Sequence, residues 1–163
     1  MESLVRIATL ILTLLAAVGT ASADTAAQAS AAAAPRWSVL DAYAGKVVLV
    51  DFWASWCTPC LRSFPWMNEL QQQLGSEGLV VVAVNLDQER ALADAFLGQN
   101  PAKFRVEFDA AGTIARQFGV QAMPTSFLID RNGKLRARHT GFKEKLRASR
   151  EQQIVQLLKE PAT

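Results

Sequence analysis

The chain has 163 residues and a mass of 17.7 kDa, enough for one hydrophobic core and not two. Half of the residues are hydrophobic, 20% are charged, and the mean hydropathy is +0.11, which excludes a chain that stays disordered. A net charge of +2 calls for no nucleic-acid partner, and two cysteines with one histidine exclude a disulfide scaffold and a structural metal site. No metal or cofactor is expected.

Residues 7–18 (IATLILTLLAAV) follow Arg6, are apolar apart from two threonines, and precede Ala21-Ser22-Ala23, an A-x-A cleavage pattern. As a helix this apolar run spans about 18 Å, short of the ~30 Å hydrocarbon layer. Residues 1–23 are therefore expected to be a secretory signal peptide, with an uncleaved membrane anchor as the alternative. Residues 24–35, almost all Ala, Ser, Thr and Gln before Pro35, read as a linker, and 36–163 as the folded domain. Both cysteines then lie outside the cytosol, where disulfides persist.

Within the domain, 47–53 (VVLVDFW) is a continuous β-branched and aromatic run, the pattern of a central strand covered on both faces. A helix follows from 59 to about 74, with Leu61, Phe64, Met67, Leu70 and Leu74 at helical spacing, Pro65 inside it and Gly75 as its stop. Residues 79–86 form a second buried strand, 88–97 a helix closed by Gly98, 104–108 a short strand, and 113–118 a helix ended by Gly119. Strands 125–129 and 135–139 pair as a hairpin around Arg131-Asn132-Gly133, since Asn-Gly takes positive φ readily. A last helix covers about 143–158, with Leu146, Ile154, Leu157 and Leu158 on its apolar side. This order predicts an α/β fold, a mixed central β-sheet with helices on both faces.

The chemistry lies in Trp56-Cys57-Thr58-Pro59-Cys60, which joins a buried strand to a helix start. Unpaired N–H groups and the positive end of the helix dipole favour a thiolate there. Cys57, outside the first turn with its sulfur exposed, is expected to attack; Cys60, beneath the helix, is expected to resolve the mixed disulfide. Asp51 is the one charged residue in its strand, six residues before Cys57. A buried, unpartnered carboxylate has a raised pKa and can accept a proton. Trp56 is expected to border the sulfur, and Trp53 and Trp66 to be core. His139 reads as a half-exposed sheet residue, and the eight bases between residues 131 and 150, against the single acid Glu144, as a solvated face. The competing functional class is a copper-binding chaperone holding metal with both thiols and His139.

The segment from Val50 to Cys60 (VDFWASWCTPC) resembles the active-site segment of thioredoxins. With the apolar leader, the long insert between the strands at 79–86 and 104–108, and Pro124-Thr125-Ser126-Phe127-Leu128-Ile129-Asp130, the chain is similar to the TlpA/ResA type of thiol-disulfide oxidoreductases. That resemblance implies a thioredoxin-like fold and a periplasmic or membrane-anchored enzyme, usually a reductant of secreted proteins, itself reduced by a membrane thiol carrier. It makes Cys57 the attacking thiol, Cys60 the resolving thiol and Pro124 a cis-proline facing them. Trp56, Thr58, Pro59, Met123 and Pro124 would form the substrate-docking surface, with the Met123 backbone pairing with an extended substrate segment. The chain departs from the type at two places. Asp51 stands where such relatives more often carry Asn, and Ser63 where they often carry Glu.

Overall fold

The computed structural model describes residues 37–162, so the signal segment and linker expected over 1–35 lie outside the described residues. Strand β1 (Val47–Trp53) is buried along its whole length. It lies at the centre of a five-stranded sheet of order β3-β2-β1-β4-β5. β2 (Leu79–Asn85) runs parallel to β1 and β3 (Arg105–Phe108) parallel to β2, whereas β4 (Thr125–Ile129) and β5 (Leu135–Thr140) are antiparallel additions on the other side. This is the mixed sheet that the order of elements predicts.

Alternation along β1 divides the core in two. Val47, Leu49 and Trp53 pack with Phe64, Met67 and Leu70 of helix α1 (Thr58–Leu74) and with Phe96 of α2 (Arg90–Gln99). The same cluster takes in Ile154, Leu157 and Leu158 of the last helix, which is α4 in chain order (Arg147–Lys159). Val48, Val50 and Phe52 pack on the opposite face with Trp37 and with Ala115 and Phe118, in and just after the short α3 (Thr113–Gln117). Trp53 and Trp66 are core residues, 0% and 2% exposed.

Several element ends differ from the expectation. Gly75 keeps a right-handed helical φ, and a 3-10 turn over Gly75–Glu77 continues the chain to Gly78, whose φ of +106° makes the stop. The positive φ favours glycine there, and a Cβ would also displace the Arg131 guanidinium, whose Nη1 would lie at 2.9 Å. Gly98 lies inside α2, which ends at Gln99. The β4–β5 turn is organised by Asp130, whose Oδ1 accepts the N–H groups of Asn132 and Lys134; of the Asn-Gly pair only Gly133 has positive φ. Leu146 is 40% exposed, and the buried row of α4 instead contains Arg150, 5% exposed.

The basic stretch is only partly a solvated face. Arg131 donates to the carbonyls of Gly45, Glu77, Leu158 and Glu160, stapling four segments together. Arg147 bridges helices by pairing with Glu69 of α1 at 2.6 Å. Trp66 Nε1 makes a second tie between them, donating to Glu151 at 2.7 Å.

Candidate active site

β1 ends at Trp53, and the chain reaches α1 through a short loop that Asp87 holds in place. Asp87 is 4% exposed. Its Oδ2 accepts the Ser55 N–H at 2.9 Å and Asn85 Nδ2 at 2.7 Å, and its Oδ1 accepts the Ser55 hydroxyl at 2.9 Å. The Cys57 N–H donates to the Ala54 carbonyl at 3.0 Å, which closes the turn and leaves Cys57 as the N-cap residue of α1. Pro59 follows in the first helical turn, where its missing N–H costs nothing.

Cys57 and Cys60 are joined in a disulfide, with Cα atoms 5.3 Å apart. Cys57 is 4% exposed and Cys60 0%. Both cysteines are buried, so the exposed Cys57 sulfur that the sequence suggests is not found; both belong to the apolar cluster with Trp53, Phe64 and Met67. Cys57 caps a 17-residue helix, Cys60 lies in its first turn, and low-dielectric packing surrounds both. A thiolate there is stabilised chiefly by the helix end. Ser63, in place of the Glu that the resemblance implies, is 1% exposed and donates to the Cys60 carbonyl at 2.9 Å, so it brings no proton acceptor.

Asp51 supplies the carboxyl group. It is 3% exposed and projects from β1 on the face shared with Val47, Leu49 and Trp53, the face that carries the cysteine cluster. Its register partners are Ala83 on β2 and Ser126 on β4. Burial pushes its pKa up to about 7, against the opposing pull of the Arg150 guanidinium and then the Ser126 hydroxyl. Oδ1 is buried without a hydrogen-bond partner. Loss of solvation thus outweighs the nearby positive charge, and the carboxyl titrates near neutrality.

The remaining expected site residues fall into two groups. Trp56 is 70% exposed, so most of its indole faces solvent rather than sheltering the sulfurs; Thr58 is also exposed and Pro59 half-buried. Met123, half-buried, packs against the cluster that holds both cysteines. Pro124 is buried, the Met123–Pro124 bond is cis, and the Pro124 carbonyl accepts the Gly141 N–H at 2.8 Å. His139 is not brought to the thiols. It is half-buried on β5 with Nε2 at 3.1 Å from Gln153 Oε1, and no cluster of three His, Cys, Asp or Glu side chains able to hold a metal exists among the described residues.

Two further residues escaped the sequence reading. Asp87 lies 32 residues from the Ser55 it holds, and only its position just after a buried strand marks it. Arg150 reads as one of the surface bases, although it stands four residues before Ile154 and eight before Leu158 on the apolar row of its helix.

Residues 18–155 match the Redoxin family. The thiol-disulfide oxidoreductase ResA of Bacillus thuringiensis subsp. konkukian is 39% identical over 93 residues, 57% of this chain and 54% of that protein. ResA of Geobacillus thermodenitrificans is 36% identical over 99 residues, 61% of this chain and 57% of that one. The matching segment therefore spans little more than half the length of these curated relatives. Among solved structures, the crystal structure of a putative thiol:disulfide interchange protein DsbE from Chlorobium tepidum is 52% identical, with a TM-score of 0.72, covering 73% of this chain and 84% of that one. The fold is thioredoxin-like.

Proposed function

The chain belongs to the redoxin family, and from that premise and the Cys57–Cys60 pair at the start of α1 we propose that it is a thiol-disulfide oxidoreductase that reduces proteins outside the cytoplasm. The observation that carries the reading is the dithiol pair at a helix N-terminus on the sheet face that holds a carboxyl titrating near neutrality. The relatives named thiol-disulfide oxidoreductase and thiol:disulfide interchange protein support the same chemistry.

In the reduced enzyme the Cys57 thiolate attacks one sulfur of a substrate disulfide. The substrate's other sulfur departs as a thiolate and takes a proton from solvent. Cys60 then gives its proton to the Asp51 carboxylate and attacks Cys57 Sγ, expelling the second substrate thiolate, which is protonated in turn. Two electrons and two protons pass to the substrate, and the enzyme is left with the Cys57–Cys60 disulfide. Trp56, Thr58, Pro59, Met123 and Pro124 form the docking surface, and a membrane thiol carrier restores the dithiol. The leader over 1–23 takes the chain across the membrane, either cleaved after Ala23 or retained as an anchor.

Equilibration with glutathione buffers tests the direction of exchange. A potential of about −270 mV fits a reductant, whereas one of about −120 mV overturns that direction. Trapping tests the roles: Cys60→Ser is expected to accumulate a mixed disulfide with a substrate protein through Cys57. Accumulation by Cys57→Ser instead would reverse the assignment.

A further inference from the structure

We propose, on the reading that Asp51 accepts the proton of the resolving thiol, that Arg150 is a positioning residue for the exchange reaction. Its buried guanidinium is the counter-charge of the Asp51 carboxylate, and its tether to Gly141 ties that charge to the Pro124 segment. Arg150 projects from α4 into the apolar row that continues through Ile154 and Leu157, and it is 5% exposed. A guanidinium in such a row is costly to desolvate. Yet it is poorly served: Nη2 donates to the Gly141 carbonyl at 2.9 Å, Nε is buried without a partner, and no carboxylate lies within ion-pair distance among the described residues. Asp51 on the same face also has a buried oxygen without a partner. Each of the two groups holds the other toward its charged form across the sheet face.

The surroundings leave few competitors for this pairing. Ala83 on β2 has no charge, Ser126 on β4 offers a hydroxyl, and α1 contributes Cys57 and Cys60. His139 on β5 is the register partner of Ser126; burial and then Arg150 push its pKa down, so it is neutral near pH 7. Among the described residues, Arg150 is therefore the one positive charge pulling on the Asp51 carboxyl. Its anchor is also part of the site, since Gly141 accepts from Arg150 through its carbonyl and donates through its N–H to the Pro124 carbonyl at 2.8 Å. Charge on the acceptor and placement of the Pro124 segment thus share one residue.

The test follows the Asp51 carboxyl carbon by NMR through a pH titration of the oxidised protein, together with the pH–rate profile of mixed-disulfide resolution. Arg150→Gln removes the charge but keeps a donor for Gly141; Arg150→Met removes both; Arg150→Lys keeps the charge. The carboxyl midpoint is expected to rise by about one pH unit or more in the Gln and Met variants and to stay near the wild-type value in the Lys variant. The pH–rate profile should move with it. Should the Met variant fail to fold, the Gln and Lys variants decide. A wild-type midpoint in Arg150→Gln, with Asp51→Asn slow to resolve, overturns the role of Arg150 alone. Resolution at the wild-type rate by Asp51→Asn would instead overturn the role of Asp51, and that of Arg150 with it.

Discussion

A carboxyl group held near neutrality by burial leaves a signature in folding stability as well as in catalysis. The Asp51 pKa moves from the ordinary 3.8 to about 7 in the folded, oxidised protein. Because the folded value is raised, the native state holds a proton between these limits that the unfolded chain has already lost. Stability is then fully present below about pH 4, declines as pH rises, and levels off above the folded midpoint. At about 1.4 kcal/mol for each pH unit of displacement, the full decline is about 4 kcal/mol. Asp51→Asn removes this titration. The variant also strands the Arg150 charge, which displaces the whole curve by a nearly constant amount, so the difference in slope is the informative quantity. Urea unfolding of the oxidised wild type and Asp51→Asn from about pH 4 to about pH 8 measures it, and the wild type should lose about 4 kcal/mol more than the variant over that range. Parallel curves would refute the claim that burial raises the Asp51 pKa.

Asp87→Ala leaves the Ser55 N–H and hydroxyl and Asn85 Nδ2 without their acceptor; it should cost about 3 kcal/mol in urea unfolding, with Asp87→Asn losing less, and a wild-type midpoint for the Ala variant would show that the loop holds its shape without the clamp. Arg131→Met keeps the aliphatic stem but abandons four backbone carbonyls; a loss of about 2 kcal/mol by the same assay is expected, and no loss would return Arg131 to the solvated face that its sequence context suggests.

The central strands were legible because their position dictates their composition. A strand covered on both faces reads as a near-continuous apolar run, and β1, apart from Asp51, and β2, apart from its terminal Asn85, are such runs. The cysteine pair was legible because its spacing and its place between strand and helix are local. Helix ends were legible only in part, because glycine permits a stop without enforcing one: Gly75 and Gly98 remain within helical turns, whereas Gly78 and the expected Gly119 turn over with positive φ. Arg150 was hidden for a different reason. Charge argues for solvent, only the helical row it shares with Ile154 argues against, and its hydrogen-bond acceptor, the Gly141 carbonyl, lies outside the helix. Asp87 likewise acts on a loop encoded far earlier in the chain. For Arg150 and Asp87, what escaped was a partnership with a group outside the local segment, which local patterning does not encode.

The central claim is that Cys57 attacks and Cys60 resolves. Rapid alkylation of the fully reduced protein at mildly acidic pH, with each modified cysteine located by mass spectrometry, tests it most directly. A helix-end thiolate at Cys57 and a fully buried Cys60 thiol predict labelling of Cys57 faster by about tenfold or more. Equal rates at the two sulfurs, or faster labelling of Cys60, would contradict the account.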